Sequence, residues 1–165
     1  MNKEPLVLME KKLLQYQKLL LLILVVLVSA CEPRDVRPGL WLQGEEVTNL
    51  VEDWRFTDEI QEILIETHPW YQLAHSTTIW CVRFGGKLYI GSYGTEKKFW
   101  EKNIQRDAKA RISIAGKIYK VNISKLNDEM LTRDIGIAYN QKYDMAEVFG
   151  EDIPQWWFYL VEQEI

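Results

Sequence analysis

Two runs of β-branched and aromatic residues, Thr77–Phe84 and Lys87–Ser92, stand on either side of Gly85-Gly86. Two residues make a very short link between antiparallel strands, and the turns that fit it need positive φ, which glycine adopts without steric cost. This pair therefore dictates a tight hairpin in mid-chain, and the rest of the fold has to be built around it. The same logic recurs downstream, where Ala110–Ala115 and Ile118–Ile123 flank Gly116-Lys117. Both of these runs alternate strictly, so each strand has one buried and one wet face. Between the hairpins, Lys97–Arg106 places Phe99, Trp100, Asn103 and Ile104 on one helical face and stops at Asp107-Ala108. Asn127 or Asp128 can cap a helix that reaches about Tyr143. Asp152-Ile153-Pro154 then breaks the chain, and Trp156–Val161 reads as a closing strand.

Upstream the pattern is looser. Gly39–Val47 alternates weakly and predicts a first strand with a bend at Gly44, and Trp54–Phe56 predicts a second, short one. Glu62–Thr67 is β-rich and ends at His68-Pro69, since proline forces the preceding residue into extended conformations. A helix starting at Thr57 competes with that strand. The sum is a β-rich α+β domain, a small barrel of about six to eight strands with two or three helices.

The segment before residue 39 obeys different rules. Leu19–Cys31 is uncharged, and Leu19–Ala30 supplies 12 residues where a membrane span needs about 20. That length suits the apolar region of a secretory signal, about 7–15 residues. Lys3, Lys11, Lys12 and Lys18 precede it against Glu4 and Glu10, which holds that end in the cytoplasm. Leu27 and Val28 followed by Ser29-Ala30-Cys31 resemble the lipobox of bacterial lipoproteins. The resemblance implies a signal peptide over 1–30, a lipid on Cys31 and a tether over 31–38, with the folded domain at 39–165. It also implies a membrane-anchored protein on the periplasmic face of the cell envelope; Glu32 after the cysteine favours the outer membrane in a Gram-negative host. An uncleaved anchor is the alternative, and Met9 is a second candidate start. Removing the four lysines and two glutamates of residues 1–30 from 20 basic and 24 acidic residues leaves 16 and 22. That formal charge of −6 does not fit a nucleic-acid partner, which needs concentrated positive charge. Cys81 is then the one thiol of the domain, so an intramolecular disulfide is excluded, and its apolar surroundings read as a buried small hydrophobe.

The order of elements resembles the FMN-binding split barrel, the superfamily of pyridoxamine 5′-phosphate oxidases and deazaflavin-dependent nitroreductases. The resemblance is carried by Lys87–Ser92, a strand ending in a hydroxyl, then by Lys97–Ile112, a basic loop, a Trp-bearing helix and an Asp107-Ala108 step into the next strand. Asp107-Ala108 stands where Asn-Pro is usual. Gly39-x-x-x-x-Gly44 and Pro69–Trp80 also resemble a branch of secreted split-barrel proteins. The resemblance implies FMN or a related flavin, its phosphate near Ser92, Lys97 and Lys98 and its ring along Ser76, Thr77 and Thr78. It also implies a homodimer with the cofactor across a two-fold interface. The physics of the phosphate site is a helix N-terminus with two lysines and two glycines, Gly91 and Gly94. Relatives commonly carry Arg or Lys on the ring-lining strand, where this chain has His75-Ser76-Thr77-Thr78.

Two classes of function follow. One is an envelope-anchored oxidoreductase-like protein that binds a flavin. The other is a catalytically inactive barrel that binds a ligand or a partner protein. His68 and His75 flank Pro69-Trp70-Tyr71 and, with Glu66, could hold a metal or haem, or be satisfied loop histidines; no metal site is assigned. Glu45, Glu46, Glu52 and Asp53 read as solvated loop charges. Trp156-Trp157 puts one indole on each face of its strand, which leaves one outside the core. With the Phe99-Trp100 helix, that surplus gives a physical motive for the dimer.

Overall fold

The computed structural model describes residues 15–18, 39 and 41–164. The apolar run, Cys31 and the tether lie outside the described residues. The chain divides into Met1–Pro33 and Arg34–Ile165. Of the first unit, residues 15–18 are described and are helical. The second unit carries all the elements that follow. Among the described residues no helix is long and apolar enough to cross a membrane.

Among the described residues seven strands make one sheet: β1 (Glu45–Glu46), β2 (Glu62–Thr67), β3 (His75–Phe84), β4 (Lys87–Tyr93), β5 (Lys109–Ile114), β6 (Lys117–Lys125) and β7 (Trp156–Gln163). Their order is β1-β6-β5-β2-β3-β4-β7, and β7 also pairs with β6. That second pairing closes six antiparallel strands into a ring, with β1 added parallel to β6. A short 3-10 turn, Trp54–Thr57, precedes β2, and three helices complete the unit: α1 (Phe99–Arg106), α2 (Glu129–Tyr143) and α3 (Met145–Phe149).

The Gly85-Gly86 hairpin forms as its chemistry requires, with φ of 57° and 79°. The second hairpin turns one residue earlier than expected. Its central pair is Ala115-Gly116, at φ 49° and 80°, and Ile114 faces Lys117 across it. Two more expectations are corrected. Trp54–Phe56 is a 3-10 turn because Asp53 caps it, accepting the Arg55 N–H at 2.9 Å. The strand expected over Gly39–Val47 shrinks to Glu45–Glu46. The strand at Glu62–Thr67, not the competing helix, is the one that forms.

Strand alternation sorts the apolar side chains into two layers. Inside the ring lie Ile63, Ile65, Cys81, Leu88, Ile90, Ile112, Val121, Tyr159 and Val161, with Trp100 and Ile104 of α1 packed among them. Outside the ring, Val82, Tyr89 and Phe158 are covered by Ile135 and Tyr139 of α2 and by Met145 of α3. Each fully buried aliphatic side chain is worth about 1.5–3 kcal/mol, so both layers matter to stability. Trp156 and Trp157 do fall on opposite faces, but neither is surplus. Trp157 packs against the inner layer, and Trp156 is roofed by the outer one.

The stretch preceding β1 is tied down by a buried ion pair that the sequence pattern does not single out. Glu66 is fully buried and accepts Arg111 Nη1 at 3.0 Å on both oxygens. The Leu42 N–H donates to the same carboxylate at 2.6 Å, and Arg111 Nη2 returns to the Leu42 carbonyl. Other acidic residues of this region also have definite partners: Glu46 pairs with Lys120 at 2.5 Å.

Candidate functional site

The site is set by where β4 stops and α1 starts. β4 runs to Tyr93 because Ser92 and Tyr93 pair with Trp157 and Trp156 of β7. Gly91 is needed there, since a Cβ on it would lie 2.9 Å from the Trp156 ring and 3.1 Å from Tyr139. Gly94, at φ 111°, then turns the chain away from the sheet. α1 begins after Lys98, so both lysines stand ahead of the helix, not within it. The roles expected of the two glycines are thereby taken by the Trp156 ring and by a turn.

A cleft of about 280 Å³ opens along β3, β4, α1 and β7. Of the six residues expected at a cofactor site, Thr77, Thr78, Ser92 and Lys98 line it. Trp80, Tyr93, Trp100 and Trp156 supply its aromatic surfaces. Trp80 and Trp156 lie nearly parallel, 6.1 Å apart, and Trp80 stacks on Tyr143 at 4.3 Å. Lys98 Nζ sits 5.1 Å above the Tyr93 ring, within cation–π range. Lys97 is exposed and Ser76 lies elsewhere, its hydroxyl against Gly39, and neither is part of the lining.

Behind the cleft lies a residue that sequence reasoning missed. Glu101, in the first turn of α1, is 0 % exposed. Its Oε2 accepts the Ser92 hydroxyl at 2.7 Å and the Lys98 backbone N–H at 2.7 Å. Its Oε1 accepts the Trp157 indole N–H and the Tyr159 hydroxyl. Two oxygens taking four donors is the full capacity of an ionised carboxylate, which only accepts. Burial, and the carboxylate beside it, hold the Tyr159 phenol far above its ordinary value. The local signal was there, because a glutamate at the third helical position is where a capping carboxylate reaches back to the N-cap N–H. On a short exposed-looking helix it reads as a solvated charge.

A flavin phosphate finds its expected donors taken at this position. The strand-end hydroxyl and the N–H heading α1 already donate to Glu101. The residues present fit a ring in the cleft; they do not fit a phosphate at Ser92.

The remaining candidates have structural occupations. Cys81 is fully buried, and burial pushes its thiol up to about 11, as suits a small core side chain. His75 is buried, shares a hydrogen bond with the Tyr71 hydroxyl and packs on Phe99 at 4.4 Å. His68 stands 3.6 Å from Glu66 and packs on Trp41. Among the described residues no group of three or more His, Cys, Asp or Glu is placed to hold a metal. Lys142 reaches under β3 from α2 and donates to the Thr57 and Cys81 carbonyls at 3.0 and 2.8 Å.

A closed six-strand antiparallel ring with one helix packed into its interior and two on its outside is a split barrel, the fold of the FMN-binding superfamily. Solved structures bear this out at the level of fold. The protein Atu2129 of Agrobacterium tumefaciens, of unknown function, matches at TM-score 0.52 and 14% identity over 67% of this chain. This chain spans 53%, about half, of its length. The conserved hypothetical protein Rv2991 of Mycobacterium tuberculosis matches at TM-score 0.51 and 9% identity, over 73% of this chain and 86% of its own. The Listeria innocua "Putative Pyridoxamine 5'-phosphate oxidase" matches at TM-score 0.50 and 14% identity, over 67% and 90%. No curated protein matches in sequence. Residues 56–153, more than half of the chain, match the family described as "Uncharacterized protein conserved in bacteria (DUF2255)", and the chain belongs to that family.

Proposed function

We propose that the protein is an envelope-anchored split barrel that binds an aromatic ring ligand of the flavin class in the cleft beside α1. One observation carries this reading: Thr77, Thr78 and Lys98 converge, beside the end of β4, on one cleft whose remaining lining is mostly indole and phenol rings. Hydroxyls and an ammonium beside aromatic faces are what a flat heteroaromatic ring with polar edges requires. Any redox chemistry would belong to the ring; the lining binds and orients it. The envelope location rests on the pattern from Leu19 to Cys31.

The reading includes a homodimer. Its support has moved from the closing strand, whose aromatics pack against the two layers or line the cleft, to the β2–β3 connection and the segment beside it. There Trp70 is 78 % exposed, with Tyr71 and Trp41 also in solvent. Static light scattering of the full chain in detergent, corrected for bound detergent, checks it: wild type gives twice the chain mass and Trp70→Lys gives the chain mass. The same exposed rings favour the second reading, an inactive barrel that docks a protein partner.

The deciding experiment is titration of riboflavin-class ligands into the detergent-purified full chain, followed by quenching of flavin fluorescence. Saturable binding that is lost in Thr77→Trp, which fills the cleft with an apolar ring, supports the ring-binding reading. Absence of quenching at high micromolar ligand overturns it and leaves the protein-docking reading.

A further inference from the structure

We infer that Glu101 is a built-in anion that turns the cleft against phosphorylated ligands, so that the ring it accepts is an uncharged free flavin and not its phosphate ester. This rests on the ring-binding reading above and names the ligand class within it. The two donors at the place where β4 hands over to α1 both point at Glu101 Oε2, each at 2.7 Å. Ser92 is itself 3 % exposed, so its one proton cannot be offered to the cleft without abandoning the carboxylate. The other carboxylate oxygen is filled by Trp157 and Tyr159.

Among the described residues no Lys or Arg pairs with Glu101. Its charge is stabilised by four neutral donors and by the positive end of α1. A desolvated charge of this kind is screened much less by salt than a surface one. A phosphate entering beside Ser92 would meet like charge and find the hydroxyl and the N–H taken. Lys98 lines the cleft but leans on Tyr93, and Lys97 stands outside the lining, exposed to water, where an ammonium attracts an anion weakly. A neutral polyol chain meets none of these obstacles. Where a bound phosphate would supply negative charge to the head of α1, this chain carries that charge covalently, three residues into its own helix.

The test compares riboflavin with FMN, which share a ring and differ in the phosphate, by fluorescence titration of the full chain in detergent. Wild type is expected to bind riboflavin at least about tenfold more tightly than FMN. Glu101→Gln, which removes the charge at nearly constant size and sets an NH₂ against two of the four donors, is expected to bring the two within about threefold, whatever it does to the affinity common to both. A purely structural carboxylate would alter both ligands alike. FMN binding as tight as riboflavin in wild type overturns the inference and leaves ring binding intact. Failure of both ligands overturns the ring-binding reading and this inference with it. If Glu101→Gln does not fold, the wild-type ratio decides alone.

Discussion

At the scale of single residues, this protein concentrates its constraints where side chains leave no slack. Gly91 is one such place. A methyl group there would press on Trp156 and Tyr139, and the Trp156 ring is already in contact with Trp80, Tyr93 and Phe158. Gly91→Ala is therefore expected to cost about 1–3 kcal/mol, read as a lower urea midpoint, and to change tryptophan fluorescence as the ring shifts. Cys81 gives a pH prediction. Burial raises its thiol from 9.0 to about 11. The phenols of Tyr139, Tyr143 and Tyr159 are raised as well, burial being the main cause for each. All four are acids kept protonated by the fold and released on unfolding. Their contribution is whole below pH 9 and is lost as pH rises through 9, for the thiol, and 10, for the phenols. The thiol's share of that loss, set by its rise from 9.0 to about 11, reaches about 2 kcal/mol by pH 11. Lys142 acts in the opposite sense just below 10.5, because burial lowers its pKa and the unfolded chain holds that proton longer. Urea midpoints should fall between pH 9 and 11. Cys81→Ala should flatten that fall while lowering the midpoint at neutral pH by opening a cavity.

At the scale of elements, turn chemistry is the clearest control. Ala115 occupies the first central position of a turn that demands positive φ, where a Cβ costs roughly 1–2 kcal/mol. Ala115→Asn, the residue favoured there ahead of glycine, is expected to stabilise the protein by about 0.5–1 kcal/mol, seen as a raised thermal midpoint. The hairpins were legible in the sequence because their information is local: two turn residues and a period of two. The one-residue displacement of the second turn was not, since Gly116 alone is compatible with either register until Ile114 finds Lys117. Helices α1 and α2 were legible from periodicity and from Asp128, which accepts the Leu131 N–H at 2.9 Å. Glu101 and Glu66 could not be read the same way. Glu101 finds three of its four partners 9, 56 and 58 residues distant, and Glu66 meets Arg111 45 residues on. A carboxylate whose meaning is non-local looks from the sequence like any other surface charge. The cleft was half legible: the hydroxyls of β3 and β4 and Lys98 were found, but the aromatic surfaces that enclose it come from β3, β7 and α1 together.

At the scale of the molecule, the proposed anchor and the closed ring make separate predictions. Cys31→Ser is expected to abolish lipid attachment, leaving an unprocessed precursor or an unlipidated product. Mass spectrometry of the wild-type N-terminus checks the same point, and an unmodified Cys31 or a retained segment 1–30 would sink the lipoprotein proposal. The ring carries a consequence of its own. β7 lies between β4 and β6, so each of its neighbours keeps a bare edge until it arrives. A chain emerging from the ribosome at about 5–20 residues per second can form both hairpins early, yet it cannot seal the barrel until residue 163 has been made. Completion waits for β7, the last strand of the ring. A polypeptide built in this order keeps its barrel open until β7 is made, which is the condition a protein must meet if it is to pass through a membrane pore before it folds.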